Sequence, residues 1–152
     1  MADLEHVALL KQGSDAINKW TKENPGVHLD LAGADLAGMD LQGCNLSEAN
    51  LAGANLARAD LRTTNLGGAD LKGANLQGTD ARNAALHRAK LQGADLRGAN
   101  LETIGVGRQL ICASVNTFGD ARWDRERIEE ILALLNLNRD WEIRYEIVAR
   151  TR

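Results

Sequence analysis

A five-residue period dominates this chain. Written in register from Leu29 to Thr103, it runs LDLAG-ADLAG-MDLQG-CNLSE and onward through 15 units. The third position is Leu in 14 of them, with Ala81 the exception, and the second is Asp or Asn in all but Ala85 and Lys90. The first position is small, mostly Ala, and nine units close with Gly. Self-similarity at a fixed period defines the architecture before any local propensity does. A period of five suits neither a helix at 3.6 residues per turn nor a strand at two, so a plain helix would carry these leucines around its whole surface. The chain must instead bend after every unit and return the same side chain to the inside. Asp, Asn and Gly recur at the bends because they tolerate turn conformations or bond their own backbone there. The result is a solenoid lined by one Leu and one small residue per unit.

The A(D/N)LXX pattern resembles that of the pentapeptide repeat proteins. The resemblance covers residues 28–104, about half the chain, without a gap. It implies an all-β solenoid, a right-handed, four-sided parallel β-helix of about four coils with four units per coil. Residues 20 apart then stack about 4.8 Å from one another, as paired strands do. Leu31, Leu51, Leu71 and Leu91 form one column, and Leu36, Leu56, Leu76 and Leu96 the next. Leu41, Leu61, Ala81 and Leu101 form the third, and Leu46, Leu66 and Leu86 the fourth, continued by Val106. Each buried Leu contributes roughly 1.5–3 kcal/mol, enough to hold the coil without disulfide or metal.

The rest of the chain reads as fittings for the two ends. The expected organisation is an N-terminal capping helix over 1–27, the β-helix over 28–117, and a C-terminal helical segment for capping or interaction over 118–152. Residues 3–23 place Val7, Leu10, Gly13, Ile17 and Trp20 on one helical face, with Asp3 as cap and Gly13-Ser14-Asp15 as a point of fracture. Asn24-Pro25-Gly26 then stops the helix. A β-helix ends in unpaired backbone and exposed interior, so such solenoids need caps. All five aromatics lie outside the repeats, because an interior sized for Leu and Ala has no room for a ring. Trp123 to Leu137 reads as a second helix, in which Leu134 and Leu137 widen the apolar stripe beyond what a lid needs. Leu134, Leu137 and Trp141 are therefore candidate contacts of a homodimer. Residues 141–148, WEIRYEIV, admit either a strand or a helix.

Composition narrows the function. Net charge −3 and a pI near 5.6 argue against direct nucleic-acid binding, which calls for a basic stripe. The chain shows no apolar run near the ~20 residues of a membrane span and no signal-peptide pattern, so a cytoplasmic location is expected. Cys44 and Cys112 are the only cysteines, and Cys44 falls on a small inward position, which suits packing in a reduced protein. His6, His28 and His87 are scattered over three elements, with no His or Cys pair at ligand spacing, so no metal or other cofactor is expected. GVGRQL at Gly105 lacks the third glycine of a dinucleotide fingerprint. Nothing lies near a Ser or Cys to activate it, so the chain does not read as an enzyme.

One cluster departs from the motif. Between Ala81 and Lys90 an inward Leu, two Asp/Asn positions and two glycines are lost, while Arg82, His87, Arg88 and Lys90 appear. With Arg62 one coil below Arg82, these five form a candidate surface for an acidic protein partner. The competing reading is drift on a solvated face, with Asp60, Asp80 and Glu102 offsetting the charge. The expected function is a non-catalytic scaffold or protein–protein interaction module. The resemblance also brings an alternative, since some pentapeptide repeat proteins mimic DNA and bind DNA gyrase, protecting it from quinolones. That alternative needs a strongly acidic face, whereas the repeats here carry nine acids against seven bases.

Overall fold

The computed structural model describes residues 2–101. The expected C-terminal helix, the WEIRYEIV segment, Val106, Cys112 and the candidate dimer contacts Leu134, Leu137 and Trp141 lie outside the described residues.

The repeats pair with one another every 20 residues. Asp30 bridges Asn50, Asp35 bridges Asn55, Asp40 bridges Asp60 and Asn45 bridges Asn65, all parallel, and the series continues to Asp80 and Asn100. Four five-residue units therefore complete one coil. Each side contributes a single bridged residue rather than a long strand, because the chain turns again after five residues. At each bend the amide of the next unit's first residue returns to the preceding Leu carbonyl, as Ala34 N does to Leu31 O at 3.0 Å. Gly33, the residue before it, sits at φ 70, the left-handed conformation required at that turn position.

All 14 repeat leucines are buried, at 0–4% exposure, with the first-position residues beside them except the partly buried Met39. Ala81 occupies its inward place at 2%. Thr64 and Thr79 replace Ala there by turning their hydroxyls to backbone carbonyls, Thr64 to Leu41 O at 2.8 Å and Thr79 to Leu76 O at 3.0 Å. A buried hydroxyl needs such a partner.

The N-terminal segment folds as two helices, α1 (Leu4–Leu10) and α2 (Ser14–Glu23). The fracture falls at Gly13, whose φ of 92 lies outside the helical range. Asp3 caps α1 by accepting Glu5 N–H at 2.8 Å. Leu10 and Ile17 are buried against the coil interior, and Val7 and Trp20 are half-buried beside them. The helices also close part of the first coil's edge. Asp3 N–H donates to Asp30 O at 3.0 Å, and Asp30 N–H donates to His6 Nδ1 at 3.0 Å. On a neighbouring side Asn18 reads the edge from both directions: its Nδ2 donates to Gly43 O at 3.0 Å, and its Oδ1 accepts Asn45 N–H at 2.8 Å. None of the described helices is long and apolar enough to cross a membrane.

Candidate interaction surface

The second residue of a unit, where it is Asp or Asn, fixes the bend and faces its counterpart in the next coil. Its side-chain oxygen accepts the amide two residues on, as Asp40 Oδ1 does from Gln42 N at 3.1 Å, which fixes the bend. It also stacks on its counterpart one coil away. Where Asn lies above Asp or Asn, the amide donates downward: Asn50 to Asp30 at 3.0 Å, Asn55 to Asp35 at 2.9 Å, Asn65 to Asn45 and Asn75 to Asn55 at 3.1 Å. Asp above Asp has no such proton to offer. That conflict arises in the column Asp40, Asp60, Asp80, and basic side chains answer it.

Arg62 grips Asp60, with Nη2 to Oδ2 at 2.6 Å, and its Nε lies 3.9 Å from Asp80 one coil above. Arg82 grips Asp80 in the same way at 2.6 Å. The guanidinium of Arg62 holds the Asp60 carboxyl below its ordinary range, and that of Arg82 does the same for Asp80. The same Asp-x-Arg pairing recurs at Asp95 and Arg97. Lys90 stands directly above Asp70, with Nζ 3.9 Å from it, while Lys72 approaches the same carboxylate at 3.8 Å. The loss of Asp or Asn at position 90 thus places an ammonium where a like-charged carboxylate would have stood.

The five candidate basic residues do not converge on one face. Arg62 and Arg82 share a column, His87 and Arg88 belong to the next side, and Lys90 lies one corner further. Three of the five are paired with carboxylates; His87 and Arg88 are exposed. The His87 ring lies over Gly67, where an added Cβ would collide with its Nε2, and the Glu48 carboxylate lies over Gly68. Gly67 is the one glycine at the fourth position of a unit, and that departure was the sequence signal for the ring's place. Cys44 is 1% exposed, and burial, followed by the nearby Asp40 charge, pushes its thiol up to about 11. It is a packing residue. Among the described residues no group of His, Cys, Asp and Glu is arranged to hold a metal ion.

A solenoid of five-residue units, stacked in register at 20, is the class these features define. The family model for pentapeptide repeats matches residues 30–68 and 64–102. The chain belongs to the pentapeptide repeat family. A crystal structure of a pentapeptide repeat protein from the cyanobacterium Cyanothece 51142 is 36% identical, with a TM-score of 0.60 over 63% of this chain. The chain spans 65% of that protein's length. A second, from Nostoc PCC 7120, is 31% identical with a TM-score of 0.58, covering 74% of this chain and 96% of that one. HetL of Nostoc sp. strain PCC 7120, a pentapeptide repeat protein involved in heterocyst differentiation regulation, is 43% identical over 49% of this chain and 37% of its own, with a TM-score of 0.47. No curated protein matches the sequence.

Proposed function

We propose that the protein is a non-catalytic scaffold of the cytoplasm, a right-handed four-sided rod that binds another protein. The observation that carries this reading is the double role of the Asp/Asn positions. Each one fixes its bend, and the Asn residues stacked over Asp or Asn, such as Asn50 over Asp30, also tie their neighbours one coil away, so outward side chains of the described residues are held in a regular lattice. A stiff lattice of that kind presents a surface with little ordering cost on binding. The right hand accords with the chirality of parallel crossover connections. The organisation we propose is a helical cap over 1–27, the rod over 28–117 and a helical segment over 118–152. In it Leu134, Leu137 and Trp141 join two copies, and His87 and Arg88 are the exposed basic contacts without an ion pair among the described residues. DNA mimicry finds less support, because Asp60 and Asp80 are each neutralised by an arginine.

Pull-down with the intact chain and with a chain lacking residues 120–152 tests the reading. Saturable capture of a defined protein is the expected result; no specific capture by either form overturns it. Protection of gyrase supercoiling from a quinolone would establish the alternative. Sedimentation of the intact protein beside a Leu134→Glu, Leu137→Glu variant tests the dimer, and a monomer at tens of micromolar removes it.

A further inference from the structure

The first coil's lower edge is closed on two sides and open on the other two. Asp30 is served by Asp3 and His6, and Asn45 by Asn18. The equivalent N–H and C=O groups of Asp35 and Asp40 have no partner among the described residues. One coil up, the same positions are paired from below: Asn55 N–H donates to Ala34 O and Asp60 N–H to Met39 O, each at 2.9 Å. Unpaired edges of this kind are templates for another extended chain.

Space and charge beside Asp40 both fit such a guest. A cleft of about 590 Å³ opens there, lined by Leu10, Lys11, Ser14, Met39, Asp40 and Gln42. It separates the α1–α2 connection from the edge. Asp40 is also the one aspartate of its column without an arginine two residues on, since Gln42 stands where Arg62 and Arg82 stand above it. The rod already shows how a cation from one level down approaches such a carboxylate: Arg62 Nε lies 3.9 Å from Asp80 in the coil above. An arginine one level beneath Gln42 would bear the same relation to Asp40. Lys11, on the opposite wall, forms no ion pair among the described residues.

We infer that the open edge at Asp35 and Asp40 is a docking site for an extended, arginine-bearing segment of a partner protein, which adds to the first coil as a further rung. Guest C=O and N–H groups pair with Asp40 and Asp35, an apolar guest side chain enters the cleft toward Leu10 and Met39, and the guest arginine meets Asp40. The inference rests on the interaction-module reading and specifies its surface.

The test uses the full chain labelled with ¹⁵N and, as probe, an acetylated Ala-Asn-Ala-Ala-Gly-Ala-Asn-Leu-Arg-Gly peptide, whose two units reach both Asp35 and Asp40 when its Arg lies beneath Gln42. Saturable shifts centred on the Asp35 and Asp40 amides, with slowed hydrogen exchange at both, are expected. The peptide with Glu in place of Arg, or N-methylated at Leu, should bind at least fivefold more weakly. Gln42→Arg, which supplies Asp40 with an internal partner, should weaken binding at least tenfold without lowering the melting temperature, while Lys72→Gln on another side leaves it unchanged. No saturable binding, shifts centred elsewhere, or undiminished binding to Gln42→Arg overturns the site. Concentration-dependent protection of Asp35 and Asp40 without peptide also overturns it, in favour of a second copy at the edge. Each of these leaves partner capture in the pull-down standing, so failure of the edge and failure of the interaction reading are separable.

Discussion

Arg62 holds the carboxylate of Asp60, two residues before it, through Nε at 2.9 Å and Nη2 at 2.6 Å. Asp60 stands between Asp40 and Asp80 with no amide to separate the like charges, and Arg62 supplies the counter-charge there. The pairing converts an electrostatic conflict between coils into a brace along one side of the rod.

Removing that brace should weaken the rod in a pH-dependent way. The Asp60 and Asp80 carboxyls are held below their ordinary value, first by the side-chain hydrogen bonds from Arg62 and Arg82. A depressed carboxyl contributes stability above its unfolded value and loses it as pH falls through the folded one. An Arg62→Gln, Arg82→Gln double variant should therefore melt well below the native protein at pH 7, with the gap closing below about pH 4, where both aspartates protonate in the unfolded chain. Adding Asp60→Asn, which restores an amide above Asp40, should recover part of the loss. Melting by circular dichroism from pH 7 to pH 2.5 checks both, and a gap unchanged across that range rules out the carboxylates as its source.

Leu71 is fully buried in its column between Leu51 and Leu91. Leu71→Asp should abolish cooperative folding, because a charge there has no partner and no water. The measurement is the far-ultraviolet spectrum with a thermal melt. An unchanged transition would mean that the third residue of the unit does not face inward.

How far the structure was legible depended on whether the information repeated. Leu31, Leu51 and Leu71 each announce the same inward position, so the period follows from the chain with little local detail, while four units per coil rests on the resemblance to the pentapeptide repeat family. The turn role of Asp and Asn was readable for the same reason. What single positions do was less so. Arg62, Arg82 and Lys90 look like an accumulating basic patch when counted along the chain. Only the stacking shows that each stands beside a carboxylate, Asp60, Asp80 and Asp70 in turn. The fracture in the N-terminal helix was visible in Gly13, but its consequence was not. Two helices place His6 and Asn18 under different sides of the first coil, a contact over 24 to 27 residues that no local pattern encodes.

Ala81 stands between Leu61 and Leu101 in an otherwise unbroken column, and it is 2% exposed. Ala81→Leu should raise the melting temperature by filling that level of the column. A clear fall would show that the coil narrows there, so that the added carbons overpack it.

Gly53 separates backbone conformation from space. It sits at φ 66, and an added Cβ would meet no atom within 4 Å. Gly53→Ala therefore changes no contact, and its cost is that of placing an L-residue in the left-handed region, about 1 kcal/mol. The rod already bears this cost at Arg58, Thr63 and Asn83, all near φ 60, so the substitution should lower stability without altering the fold. Arg58→Gly should do the reverse, the freedom of glycine in the unfolded chain offsetting part of the conformational effect in both substitutions. Urea unfolding of the two variants gives the comparison. A gain from Gly53→Ala would mean that this bend does not require the left-handed conformation.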